Sequence, residues 1–256
     1  MSAKDEPRRA HRGERPLGHR AYVKIPHLPG SRMNGTDHRA PSELARWCTH
    51  EARVGDEVVV QEKLDGSCVA VALKHGAVLA LGREGFLAAE GENPGRQMFA
   101  RWVATNEARF RDVLHEGEWL VGEWLALAHS TRYALTHEPL VVFDLCTPSE
   151  KGTQNLGAAR FTCWSSTVTG ARLGGRFVRP HVVHCGPAVR LEVVDALLGE
   201  HGFHGAVDRV EGAMWRVERG DELVLRAKYV RPKKVDGALL PENSGKAAVW
   251  NWREST

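Results

Sequence analysis

From Glu57 onward, the stretch EVVVQEKLDGSCVAVALKHGAVLALGREG alternates short runs of apolar β-formers with the turn signals Asp65-Gly66 and His75-Gly76. Such runs, bounded by turns, predict three successive antiparallel strands, with Lys63 where the first one ends. The period then changes. Phe99, Trp102, Val103, Phe110, Val113 and Leu114 recur at helical spacing between Gly95 and Leu114, which predicts an amphipathic helix packed over the sheet. WLVGEWLALA and PLVVFDLC read as buried strands, AVRLEVVDALLGEHG as a second helix ending at Gly202, and AVDRVEGAMWRV and ELVLRAKYV as two closing strands. Strands joined mostly by hairpins, with helices in the longer connections, give an α+β fold of largely antiparallel sheets with flanking helices.

A chain of 256 residues, 42% of them hydrophobic, can bury a sizeable core. The basic stretch PRRAHRGERPLGHR makes residues 1–20 a candidate disordered tail, followed by the Pro/Gly-rich KIPHLPGSRMNGTDH. Residues 21–235 form the expected main domain. Residues 236–256 form a short appendage, too small for an oligonucleotide-binding barrel. No run of about 18 apolar residues suggests a membrane span, and the charged beginning does not resemble a secretory signal, so a cytoplasmic protein is expected.

The five cysteines are scattered without a C-x-x-C pair, which argues for reduced, buried thiols. Strand alternation in HVVHC would split His181, His184 and Cys185 between two faces, which disfavours zinc there. The net charge of +3 is mild, so a nucleic-acid partner is permitted but not demanded. The cations that matter would be local. Lys228, Arg231, Lys233 and Lys234, with Tyr229, mix charge and an aromatic as a phosphate-contacting surface would; a solvated basic loop is the alternative.

Glu62-Lys63-Leu64-Asp65-Gly66-Ser67 places a lysine at the end of an apolar strand, just before a turn. A partly desolvated lysine can act as a nucleophile, although a lysine beside Asp-Gly is ordinarily an exposed hairpin residue. Its neighbours change the weighting. KLDGS resembles the K-x-D-G motif of the covalent nucleotidyltransferases, the superfamily of polynucleotide ligases and capping enzymes. GREG, VGEWLALAHSTRY, VVFDL, VEGAMWR and LVLRAKYV resemble its further motifs in order, across residues 62 to 228. KIPHLPGSR and HSTRY are similar to phrases of the ATP-dependent RNA ligase branch, the RNA ligase 2-like family.

This resemblance implies an ATP-grasp-like ligase adenylation domain that joins RNA 3′-hydroxyl and 5′-phosphate ends through lysyl-AMP and adenylylated RNA. Lys63 would be the nucleophile. Glu62, Arg83, Glu123, Phe143, Arg226 and Lys228 would contact the nucleotide, with Phe143 stacking on adenine and Lys228 on the α-phosphate. Glu211 would help hold Mg2+ or Mn2+, hard cations that prefer oxygen ligands. ATP is the implied AMP donor and RNA the implied partner, with end-healing enzymes as expected companions.

Glu123 interrupts an apolar run, where a carboxylate is expensive to bury without a partner or metal. Glu118 repeats the same Gly-Glu-Trp phrase and is its rival, with Glu123 preferred for its place before HSTRY. Arg226 departs from a pattern that commonly has lysine there, and its planar fork binds phosphate differently. A DNA ligase or a non-catalytic nucleotide- or RNA-binding module of the same fold are the alternative readings.

Overall fold

The seven residues of β1 (Glu57–Lys63) are buried at all five interior positions, so this strand needs cover on both faces. In the computed structural model, which describes residues 13–153, 157–161 and 167–254, it receives that cover from a second sheet and from helices. In chain order the elements are α1 (Ser42–Thr49), β1, β2 (Ser67–Lys74), β3 (Ala77–Gly82), α2 (Pro94–Thr105), α3 (Glu107–Arg111), β4 (Trp119–Trp124), β5 (Leu140–Thr153) and β6 (Gly157–Phe161). Then follow α4 (Thr167–Leu173), β7 (Val182–Gly186), α5 (Leu191–Leu198), β8 (Gly212–Arg219), β9 (Glu222–Val230) and α6 (Pro241–Ser244).

The strands form two sheets, ordered β7-β1-β8-β9 and β3-β2-β4-β5-β6, and every strand pair is antiparallel. The α+β expectation of antiparallel sheets with flanking helices describes this architecture. One part of the expected connectivity is wrong. β1 and β2 are not hairpin partners: β1 pairs with β7 and β8, while β2 pairs with β3 and β4. Leu64-Asp65-Gly66 is therefore a crossover between sheets. Gly66 sits against β4 so closely that a Cβ there would lie 2.5 Å from the Trp124 carbonyl oxygen. Only glycine fits that approach.

The predicted aromatic helix is two helices, broken at Asn106. The Asn106 side-chain amide donates to the Trp102 carbonyl at 2.8 Å, competing with the helical ladder for that acceptor. The aromatic core survives the break, with Trp102 5.5 Å from Trp124 and 6.0 Å from Phe110 between ring centroids. The second predicted helix stops at Leu198 rather than Gly202, because Gly199 already turns the backbone to φ +60°.

Residues 1–12 of the expected tail lie outside the described residues. Residues 13–20 run along the β3 side, where Leu17 is buried and the Arg15 Nε donates to the Glu84 carbonyl at 2.7 Å. At the other end, Trp250 and Trp252 pack on the aromatic core, and Asn251 donates to the Leu125 carbonyl at 2.7 Å. Of the cysteines expected to be buried, Cys48 and Cys146 are, Cys68 is half-buried, Cys185 is exposed on β7, and Cys163 lies outside the described residues. Among the described residues no helix is long and apolar enough to cross a membrane.

Candidate active site

A cleft of about 570 Å³ opens where β1 leaves one sheet and the crossover enters the other. Lys63 ends β1 opposite Gly212, the first residue of β8, so Glu211 just before β8 falls beside it. The Lys63 Nζ donates to Glu211 Oε2 at 2.6 Å and to the Leu64 carbonyl at 3.2 Å. Glu123 reaches the same place from the other sheet. Its strand β4 pairs with β2, and Glu123 Oε1 accepts the Gly66 N–H at 3.0 Å. The three residues named from separate motifs thus meet at the sheet junction.

The crossover itself is held from several sides. Asp65 Oδ2 accepts the Ser130 N–H at 3.0 Å and pairs with the Lys234 Nζ at 2.9 Å, while the Asp65 N–H donates to the Tyr133 hydroxyl at 3.0 Å. Lys234 also donates to Thr131. Each of Ser130, Thr131 and Tyr133 belongs to HSTRY, so that phrase clamps the turn after Lys63.

Lys228 and Met214 are register partners on β9 and β8, and both line the cleft. Arg83 and Phe143 line it as well, with the Phe143 ring packed 5.3 Å from Tyr22. The Arg83 carbonyl accepts the Tyr22 N–H at 3.1 Å. Asp236, Gly237, Leu240 and Asn243 form part of the wall, so the predicted appendage contributes to the cleft.

Two of the expected nucleotide contacts sit elsewhere. Glu62 borders the cleft, but its carboxylate is buried toward the turn after α5, where Oε2 accepts the Phe203 N–H at 2.8 Å. Strand alternation explains this: neighbours of Lys63 point to the opposite face. Arg226 does not line the cleft. It is buried over the Tyr22 ring and donates to Asp144 at 3.0 Å, in a cluster where Arg216 reaches Asp144 at 2.5 Å and Glu218 at 3.1 Å. Tyr22 also donates to Asp144, at 2.5 Å.

Glu118, the rival of Glu123, is outside the cleft and takes Arg172 and the His115 N–H as partners. Arg231, expected on a phosphate surface, is buried. It donates to Asp195 and to the Gly199 carbonyl, both at 2.8 Å, and so closes the end of α5.

The electrostatics of the cleft follow from this packing. Burial alone would lower the Lys63 pKa, but Glu211, Glu123 and Asp65 outweigh it and hold the amine well above the usual lysine range. Burial pushes the Glu123 carboxyl up to about 7, against the pull of Lys63. Burial, aided by the Lys63 charge, pushes Lys228 down to about 8. Lys63 thus rests as an ammonium paired with Glu211, and must lose a proton before it can act as a nucleophile.

The RNA ligase family model matches residues 56–230, and the chain belongs to that family. Among solved structures, the fold is similar to that of a Naegleria gruberi RNA ligase with PPi: TM-score 0.50, 16% identity, covering 86% of this chain and 62% of that one. An archaeal ATP-dependent RNA ligase gives a TM-score of 0.46 at 17% identity, over 82% of this chain and 48% of that one. The chain therefore spans about half to three-fifths of the length of these proteins. Among curated proteins, no match was found.

Proposed function

We propose that this protein is an ATP-dependent RNA ligase whose nucleophile is Lys63. The observation that carries the reading is the meeting of Lys63, Glu211 and Glu123 at the junction of two sheets, inside a cleft large enough for a nucleotide. The Lys63 Nζ attacks the α-phosphorus of ATP, forming a P–N bond as the bond to the pyrophosphate oxygen breaks. AMP then passes to an RNA 5′-phosphate oxygen, and an RNA 3′-hydroxyl displaces AMP to form the phosphodiester.

Each transfer builds charge on phosphate oxygens, which preorganised cations stabilise. Lys228 and Arg83 on the cleft wall are placed for that work, and the Phe143 ring offers a face to the base. Lys63 cannot attack while its proton is shared with Glu211, so whatever draws Glu211 away also frees the nucleophile.

A divalent cation fits these residues. Burial raises the carboxyl pKa of both Glu123 and Glu211, and a divalent cation would take over the neutralisation that the Lys63 ammonium gives this pair once that amine is deprotonated. Glu211 and Glu123 would hold the ion, which supplies charge neutralisation at the transferring phosphate. Magnesium and manganese are hard cations that take oxygen ligands, so two carboxylates completed by phosphate and water would suit either.

The test is incubation of the purified protein with α-labelled ATP and magnesium or manganese, alongside Lys63→Ala. Acid-labile label that survives denaturation on the wild type and is absent from K63A is the expected result, followed by sealing of nicked RNA. A folded wild type that takes up no label, and whose intact mass shows no AMP already attached, sinks the reading in favour of a nucleotide-binding module.

A further inference from the structure

Pro26 to Arg32, within the phrase KIPHLPGSR, runs along the outer edge of β9. The Lys228 N–H donates to the Pro26 carbonyl at 2.9 Å, Leu28 N–H to the Lys228 carbonyl at 2.8 Å and Arg32 N–H to the Val230 carbonyl at 2.9 Å. The Ser31 hydroxyl oxygen accepts the Val230 N–H at 2.9 Å and contacts His27 Nδ1 at 2.6 Å. The chain then turns back, placing Asp37 beside both His27 and Lys228. Asp37 Oδ2 lies 3.3 Å from His27 Nε2 and accepts the Asn34 N–H at 2.9 Å, while Oδ1 faces the Lys228 Nζ at 4.0 Å.

We propose that Asp37 is a positioning residue for the adenylylation step: held by the Asn34 N–H and set beside His27 on a strap bonded to β9, it aims the Lys228 ammonium into the cleft and keeps it charged. The inference rests on the ligase reading and deepens it. His27 is buried, and Asp37 is mostly so, which makes this a built contact rather than a chance surface pair.

The groups around Lys228 come from four elements. Lys63 on β1 and Arg83 after β3 oppose its charge, while Asp37 on the strap and Glu211 before β8 favour it. Burial pushes His27 down to about 4, so it is neutral at neutral pH and leaves the Asp37 charge available to Lys228. The Asn34 N–H and the Lys228 charge outweigh burial at Asp37 and hold its carboxyl below the usual range. Burial and the Lys63 charge leave Lys228 at about 8, so the support it draws from the Asp37 carboxylate falls in the working pH range.

The experiment is single-turnover labelling of Lys63 by ATP, on protein stripped of AMP with pyrophosphate, from about pH 6 to about pH 10. In the wild type the rise of the rate with pH stops where Lys228 loses its charge. Asp37→Asn should move that break down by about one pH unit, leaving rates about tenfold lower above it and equal to wild type below it. Asp37→Glu should restore the break, and Lys228→Arg, whose guanidinium does not titrate, should abolish it.

A break at the wild-type pH in D37N, an equal loss at every pH, or a break that persists in K228R would each overturn the proposal. Should D37N show no cooperative thermal transition, Asp37→Ser takes its place, with the same downward move of the break expected. A wild type that takes no label refutes the ligase reading; a labelled wild type with an unmoved break refutes only the role of Asp37.

Discussion

Gly66→Ala is the substitution that tests whether the crossover geometry sets the position of Lys63. The added Cβ would lie 2.5 Å from the Trp124 carbonyl oxygen and 3.1 Å from both the Trp124 carbonyl carbon and Leu125 Cδ2, against the 3.0 Å that real Cβ atoms essentially never undercut. The crossover must therefore retreat by about 0.5 Å to reach that limit, and by about 0.9 Å to reach ordinary contact. Trp124 belongs to β4 and cannot move without its sheet, so the displacement falls on Leu64 to Ser67 and on the Gly66 N–H bond to Glu123. Overpacking of this kind costs about 1–3 kcal/mol, which corresponds to a Tm lower by roughly 2–12 °C for a chain of this size. A misplacement approaching 1 Å costs about 100-fold in rate. Lys63 labelling by ATP and thermal unfolding measure the two effects. Gly76→Ala is the control: it lies in the β2–β3 hairpin at φ +72° with open space around it, so it should lose about 1 kcal/mol with the labelling rate unchanged. A G66A protein that labels at the wild-type rate with an unmoved Tm would refute the reasoning.

Asp144→Ala removes the carboxylate shared by Tyr22, Arg216 and Arg226, all buried between the sheets, and should cost about 3–5 kcal/mol in urea unfolding. The neighbouring Phe143 should lose its fixed position, read as a higher KM for ATP. Burial pushes the Glu62 carboxyl up to about 7, against an unfolded value near 4.5, so the folded state binds the extra proton. Stability from this group is therefore present below the unfolded value and is lost as pH rises toward 7. Glu62→Gln should flatten that slope and raise stability at pH ~8 by on the order of 2 kcal/mol; an unchanged slope in chemical denaturation from pH ~4.5 to ~7 would count against it.

Lys63, Glu123 and Glu211 were legible because each places a charge at or inside an apolar strand, and the ordered motifs tie them together. The connectivity around them was not. Asp65-Gly66 announces a change of backbone direction, but nothing local tells whether the next strand joins the same sheet or a facing one. Only the unbroken Val58-Val59-Val60 hinted at it, since a hairpin strand with one wet face would alternate apolar and polar residues there. Arg226 and Arg231 misled for a related reason. A basic run looks like a phosphate surface until the partners Asp144 and Asp195, distant in sequence, are known to face it. Period 2 could have placed Glu62 away from Lys63. Asp37 was missed because its contact with Lys228 spans most of the chain, and Lys234, read as part of a phosphate surface, instead pairs with Asp65.

The strap on β9 has a consequence for association. An outer strand ordinarily offers a row of unpaired N–H and C=O groups onto which another chain can add. Here Pro26, Leu28 and Arg32 occupy that row from Lys228 to Val230, so the cleft end of this edge is closed to a foreign strand. The same short phrase therefore shields the cleft end of that edge and leads into the turn at residues 34–37 that presents Asp37. Sequence drift in KIPHLPGSR is constrained twice over, by solubility and by the cleft.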